Sequence, residues 1–384
     1  MLLENKKVAI IGGGPGGLTL ARLLQLKGAD VKVYERDVNK DVRVQGATLD
    51  LHYESGLRAI EAAGLMDTFK QKYRPGADKG RVIDKDANII FDEHTKADSK
   101  DFGKESFRPE IDRSDLRDLL LDALKPGTVV WDSYFVSMSP TGDGWTLAFK
   151  NGTTVTADIV IGADGANSKI RPYVTPVKAS YAGIIILQGN VEDAATVTPD
   201  MHQLLKGGKI YVHTNGKYLH VSAKGDGSID FYISSKREEN WAKNTGIDFT
   251  DRTQLNEWFQ KEFAGWNKVW FGLFENVSLP LLIRPQYFVP VDQTWEAQSN
   301  ITLLGDAAHI MPPSGEGVNL AMLDAWELSE SLTSGAFKDI RSAIATYGKS
   351  MLARAAEELI VSLDGVEWMH AEDAMEKIIA VLKD

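Results

Sequence analysis

Short, wholly apolar runs alternate with helically spaced segments at the start of the chain, and this pattern sets its first elements. Val8-Ala9-Ile10-Ile11 reads as a strand covered on both faces of a parallel sheet. Leu18, Leu20, Ala21, Leu23 and Leu24 follow at helical spacing, and Val31-Lys32-Val33-Tyr34 predicts a second strand. Further on, Val129-Val130-Trp131, Trp145-Thr146-Leu147-Ala148-Phe149 and Thr153-Thr154-Val155 are separated by turn signals at Thr141-Gly142-Asp143-Gly144 and Asn151-Gly152, which predicts an antiparallel meander. Apolar strands return at Ile159-Val160-Ile161 and Ile301-Thr302-Leu303-Leu304.

Between those two strands the period changes to two. Gly183-Ile184-Ile185-Ile186-Leu187-Gln188, Lys209-Ile210-Tyr211-Val212, Tyr218-Leu219-His220-Val221 and Ile229-Asp230-Phe231-Tyr232-Ile233, with turns at Asn215-Gly216 and Asp226-Gly227, predict an antiparallel sheet. From Ser350 to Leu382, apolar residues including Leu352, Leu359, Leu363, Met369 and Ile378 predict a helix that Gly365 bends or interrupts.

A chain of 384 residues exceeds one ordinary core, so two domains are expected. With 54 acidic against 43 basic residues the net charge is −11, which disfavours nucleic acid and anionic membrane surfaces as partners. An anionic cofactor must then be held locally, by backbone N–H groups and a few arginines. The absence of cysteine excludes disulfides, zinc thiolates, thiol nucleophiles and cysteinyl-flavin links, and no metal site is expected. With no leader-like N-terminus and no apolar run of about eighteen residues, a cytoplasmic enzyme, acting as a monomer, is the expectation.

The first strand runs into Gly12-Gly13-Gly14-Pro15-Gly16-Gly17 and then the helix, the order a dinucleotide site requires. Gly12 makes the tight turn, Gly14 lets the backbone approach a pyrophosphate, Gly17 allows close packing of helix on strand, and Pro15 opens the helix. Glu35, followed by Arg36, ends the second strand where a carboxylate accepts from ribose hydroxyls. An acid there disfavours the 2′-phosphate of NADP and leaves NAD or FAD. Two more segments decide between them. Asp164 follows the Ile159-Val160-Ile161 strand in Gly162-Ala163-Asp164-Gly165, with Arg171 closing the segment. Gly305-Asp306-Ala307-Ala308-His309 follows the last strand, ahead of Pro312-Pro313-Ser314-Gly315-Glu316-Gly317-Val318-Asn319 and a helix. Asp306 can accept from a polyol and the glycine turn presents N–H groups, which together suit a flavin better than a nicotinamide.

In order and spacing these three segments resemble the FAD-dependent aromatic-ring hydroxylases of the para-hydroxybenzoate hydroxylase fold. Within that family the chain is most similar to the tetracycline-inactivating flavin monooxygenases, through Ala47-Thr48-Leu49-Asp50-Leu51-His52, Pro109-Glu110-Ile111-Asp112-Arg113-Ser114-Asp115-Leu116-Arg117 and Val130-Trp131-Asp132. The resemblance implies an α/β fold, with a Rossmann-like FAD-binding domain (1–70, 104–173 and 280–350), an interleaved antiparallel-sheet substrate domain (71–103 and 174–279) and a bridging helix over 351–384. It implies noncovalent FAD, NADPH as reductant, and O2. In the mechanism this resemblance implies, NADPH would reduce the flavin, the reduced flavin would capture oxygen as a hydroperoxide, and an oxygen atom would pass to a polycyclic phenol or enol. The chemistry is then the cofactor's and no protein side chain is assigned as catalytic.

The same resemblance places Arg43, Asp50 and one arginine of the pair Arg113 and Arg117, with Arg117 preferred, beside the flavin. His309, at a strand-to-loop corner, reads as a packed, hydrogen-bonded residue rather than a base. For substrate it points to Gln188, Lys209, Asp230 and Pro312. Gln188 matches a glutamine of the tetracycline-inactivating enzymes, whereas Lys209 and Asp230 stand where those enzymes have an arginine and a histidine. The loop at 312–317 is also one residue shorter and lacks a bulky aromatic. Tetracycline, another aromatic or polyketide small molecule, and a flavin reductase reaction without oxygen insertion all stay open on the sequence.

Overall fold

In the computed structural model, which describes residues 2–42, 46–95 and 101–383, the wholly apolar runs pair with one another. Lys7–Ile11, Asp30–Tyr34, Val129–Val130, Ile159–Gly162 and Ile301–Leu303 form a parallel sheet with Lys7–Ile11 at its centre. Because these strands run the same way, the turns leaving Ile11, Tyr34, Gly162 and Leu303 all emerge at one edge. The chain moves outward from Lys7–Ile11 on one side and returns on the other, so this edge holds the crevice where open α/β sheets bind ligands. The helices Pro15–Leu26 and Gly317–Thr333 pack together over a core that includes Ile10, Leu20, Val33, Val160 and Leu303.

Val129–Val130 corrects the expected meander. It pairs in parallel with Val33 and Tyr34, and the antiparallel meander is made by Phe135–Thr141, Gly144–Phe149 and Thr154–Ala157. Two β-branched residues carry no period, so only their partner could reveal their sheet.

The period-two segments form a seven-stranded sheet in the order Leu282–Phe288, Ser180–Val191, Ile229–Lys236, Lys217–Ala223, Lys209–Thr214, Gly80–Ile83 and Ile89–Asp92. All neighbours are antiparallel except Lys209–Thr214 with Gly80–Ile83. Alternation gives the sheet two unlike faces. Leu187, Ile210, Val212, Leu219, Val221, Phe231 and Ile233 build a second core with Met201, Leu255, Phe259, Trp270 and Phe274. The opposite positions are polar or aromatic: Gln188, Lys209, Tyr211, Tyr218, His220, Asp230 and Tyr232.

The C-terminal region is two helices, not one from Ser350. Ile340–Met369 runs straight through Gly365, which is buried inside it, and the break falls before Ala374–Lys383. Tyr347 Oη donates to the Leu303 carbonyl at 2.9 Å near one end of the long helix. At its other end His370 Nε2 lies 2.9 Å from Ser234 Oγ of the seven-stranded sheet, so the helix joins the two cores. Among the described residues no helix is long and apolar enough to cross a membrane.

Candidate functional site

The glycine turn after Lys7–Ile11 has the geometry its spacing implied. Gly12 has φ +111° and a Cβ there would lie 2.2 Å from the Ala163 carbonyl oxygen, so the position admits only glycine. A Cβ on Gly17 would lie 2.2 Å from the Gly12 carbonyl oxygen, because helix and turn are in direct backbone contact. Gly14 differs: its backbone is extended and a Cβ would meet no atom within 4 Å. Pro15 occupies the first helical position, where its missing N–H costs no hydrogen bond, and the N–H groups of that first turn have no partner within the helix. Glu35 is buried beneath the turn, with Oε2 accepting from Gly13 N at 2.6 Å and Oε1 from Asp37 N at 3.0 Å, while Arg36 is exposed.

At the next strand end, Asp164 folds onto its own loop. It accepts from Ser168 Oγ at 2.5 Å and Lys169 N at 2.7 Å, and burial raises its carboxyl above the usual range. Arg171 ties this segment to the following one, donating to the carbonyls of Ala307 and Ala308 at 3.0 and 2.7 Å. Asp306 opens onto the cleft but is ringed by protein. Lost hydration pushes its carboxyl up, against the opposing pull of His309 and Arg113.

His309 is a structural residue. Its Nε2 lies 2.6 Å from Asp324 Oδ2, and Asp324 also accepts from Gly305 N at 2.9 Å and Arg354 Nη2 at 2.8 Å. In the turn that follows, Pro312 is buried with its carbonyl accepting from Ser362 Oγ at 2.7 Å, and Pro313 is exposed. Gly315 has φ +94°, and a Cβ on Gly315 or Gly317 would meet nothing within 4 Å. Val318 is half-buried. The Asn319 side chain is buried and held by protein: Oδ1 accepts from His52 N at 2.9 Å and Nδ2 donates to the Asp50 carbonyl at 3.0 Å.

The two candidate arginines separate here. Arg117 is buried in an ion pair with Asp37 at 3.0 Å, donates to the Lys40 carbonyl, and lies over the Trp131 ring. Arg113 donates to the Ala47 carbonyl at 3.1 Å, and its charge is felt by Asp306, Asp230 and Tyr232 together. Arg43 lies outside the described residues.

On the polar face of the seven-stranded sheet, Gln188 Nε2 donates to Asp230 Oδ2 at 3.0 Å, with both side chains buried. Burial pushes the Asp230 carboxyl up to about 6. Gly46 backs onto this pair: a Cβ there would lie 2.9 Å from Gln188 Nε2 and from Tyr232 Oη. Lys209 points at protein, forming an ion pair with the buried Glu110. Burial holds the neighbouring imidazoles neutral, His220 down at about 3 and His213 at about 4, and raises the Tyr232 phenol to about 12. His213 stacks on Tyr218 with ring centroids 4.7 Å apart, and His220 lies 5.1 Å from Tyr211. Sequence reasoning passed over Tyr211, Tyr218, His220 and Tyr232. Their signal was present as alternation with Ile210, Val212, Leu219, Val221, Phe231 and Ile233.

Open backbone at Gly14, Gly315 and Gly317, where a Cβ would meet nothing within 4 Å, a carboxylate at the end of the second strand and exposed Asp306 at the end of the last fit FAD, whose pyrophosphate and ring need close approach to backbone. The chain matches the FAD binding domain family over residues 5–254 and 291–359, and it belongs to that family of FAD-binding monooxygenases. The monooxygenase asqM of Emericella nidulans is 29% identical over 422 residues, covering 96% of this chain and 93% of that protein. Klebsiella pneumoniae HpxO complexed with FAD and uric acid superposes with a TM-score of 0.77 at 21% identity, covering 98% of this chain and 92% of that one. Tetracycline destructase Tet(55) superposes with a TM-score of 0.75 at 20% identity, covering all (100%) of this chain and 96% of that one. The expected fold and FAD-dependent monooxygenase class are therefore established, and the likeness to the tetracycline-inactivating enzymes is one of fold.

Proposed function

We propose that this chain is an NADPH-using hydroxylase of a polycyclic phenol or enol, with tetracyclines as the first substrates to test. The observation that carries the reading is the segment at Gly46 and Ala47: Arg113 Nε donates to the Ala47 carbonyl at 3.1 Å, Ala47 N lies 3.2 Å from Tyr232 Oη, and a Cβ on Gly46 would lie 2.9 Å from Gln188 Nε2, so Arg113 stands against the polar face of the sheet. On this reading one cleft serves both cofactor and substrate. FAD, when bound, supplies the redox and oxygen chemistry. The first turn of Pro15–Leu26 would hold the pyrophosphate, Glu35 the ribose, Asp306 the ribityl chain, and the open glycine turn at 315–317 the flavin ring. Arg113, rather than Arg117, approaches that ring, because Asp37 already neutralises Arg117.

The sheet wall orients the substrate. Gln188 and Asp230 offer an amide and a carboxyl at one end, and Tyr211, Tyr218 and His220 provide flat surfaces for a conjugated ring system. Neutral imidazoles and protonated phenols add no charge to this wall beyond Asp230 and the ion-paired Lys209, which limits the hydration to be displaced during oxygen transfer. The two cores support an FAD domain and a substrate domain divided near the expected bounds (1–70, 104–173 and 280–350; 71–103 and 174–279), with one shift: Leu281 belongs to the second core and Leu282–Phe288 to the seven-stranded sheet, so the return to the FAD domain comes after Phe288. The HpxO structure holds uric acid, a planar heterocycle, in the same fold, so a smaller heteroaromatic is the second reading.

The test is incubation with NADPH, oxygen and a tetracycline, followed by mass spectrometry. A product heavier by one oxygen supports the reading. Unchanged drug, with NADPH consumed on a purine or a simple phenol, moves the assignment to that class. Peroxide release without an oxygenated product across the panel points to a reductase.

A further inference from the structure

Glu110, Lys209, Asp50, His52 and Glu316 form a row of alternating charge. Asp50 and Glu110 are cross-strand partners in the pair Leu49–Asp50 and Glu110–Ile111. Two carboxylates facing each other are unfavourable without a cation between them. Lys209 is that cation, ion-paired to Glu110 and lowering Asp50. Beyond Asp50, His52 Nε2 lies 2.9 Å from Asp50 Oδ2, and His52 Nδ1 lies 3.0 Å from Glu316 Oε1. Carboxylates only accept, so both ring nitrogens must carry hydrogen, and only the imidazolium satisfies both contacts. The His52 backbone N–H also donates to Asn319. Residue 52 is thus gripped twice by the segment 316–319.

Glu316 lies between Gly315 and Gly317, two residues whose lack of side chains leaves the turn with little packing of its own. We propose that His52, as an imidazolium bridging Asp50 and Glu316, is the positioning residue that fixes the glycine turn at 315–317 for the flavin. This rests on the FAD reading above. The groups facing His52 are Asp50 and Glu316 directly, with Lys209 and Glu110 behind Asp50, and Glu358 of Ile340–Met369 beside Glu316 and hydrogen-bonded to Ser314. Those carboxylates raise His52 to about 9 against the opposing effect of burial. A raised histidine pKa means that the bridge is complete below the ordinary value of about 6.5 and is lost as pH rises through about 9.

The experiment measures the FAD dissociation constant by flavin fluorescence from pH 7 to 10, for the wild type, His52→Gln, Glu316→Gln and the double variant, together with hydrogen exchange of residues 313–318. At pH 7 each single variant should weaken FAD binding by about tenfold, the scale of one lost charge-assisted hydrogen bond, and the double variant no further. The wild-type constant should rise through about pH 9, while that of His52→Gln stays flat relative to it. Exchange should quicken at the turn alone. Should His52→Gln not fold, the partly exposed Glu316→Gln carries the comparison. Wild-type affinity with an unchanged pH profile in the variants overturns the inference and leaves the FAD reading standing; a wild type that binds no FAD at any pH overturns both.

Discussion

Replacing Lys209 with methionine keeps the aliphatic stem and deletes the ammonium, so it isolates the charge opposite Glu110. The Glu110 side chain is 1% exposed and its cross-strand neighbour is Asp50. Without Lys209 two carboxylates face each other with no cation between them. Breaking a buried pair by removing one partner costs about 3–5 kcal/mol, equivalent to two to four powers of ten in the folding equilibrium. Glu110→Gln in the same background removes the orphaned charge and should recover most of that loss. Urea unfolding followed through the nine tryptophans gives the four stabilities of the cycle. The deficit should also depend on pH in a fixed direction. Burial already raises the Glu110 carboxyl, and losing Lys209 raises it further. A raised carboxyl pKa penalises the native state fully above its folded value and not below its unfolded value, about 4.3. The Lys209→Met deficit should therefore shrink as pH falls. Additive costs in the cycle, or a deficit that ignores pH, would refute the pairing.

Gly14→Val and Gly17→Val should fail differently: the first folds but purifies poor in flavin, and the second does not fold, since its Cβ would lie 2.2 Å from the Gly12 carbonyl oxygen. Melting curves and the visible flavin absorbance separate them. Asp306→Ala, which removes a carboxylate open to the cleft, should fold and lose flavin; full occupancy would misplace the ribityl site. His309→Gln removes the imidazole from Asp324 and should cost about 1–3 kcal/mol at neutral pH. Asp324 raises His309, so this contribution is complete below about pH 6.5 and is lost as pH rises through the raised folded value. Melting wild type and variant across alkaline pH should show their stabilities converging.

What the sequence disclosed and what it withheld divide by range. Gly12, Gly14 and Gly17 were readable because each answers to backbone geometry within a few residues, and the alternating strands because their period is local. Arg113 and Arg117 stand one turn apart on one helical face, so their spacing cannot rank them. The distinction lies in Asp37 and Trp131, which neutralise and cover Arg117 from distant parts of the chain. Gly365 looked like a break because glycine lowers helix propensity, yet it lies buried inside the long helix, and the end falls at His370 beside Ser234. The same limit governs the pocket. Lys209 and Asp230 look like unpartnered departures from the tetracycline-inactivating enzymes when read along the chain. In the fold Lys209 is matched by Glu110, and Asp230 accepts from Gln188. On the proposed function, a substrate meets a lysine whose charge is already paired with Glu110, so discrimination among substrates falls to Gln188, Asp230 and the aromatic wall. Substitutions at Lys209 should accordingly change stability more than the choice of substrate, while Gln188→Ala should change the choice of substrate in a fold that persists.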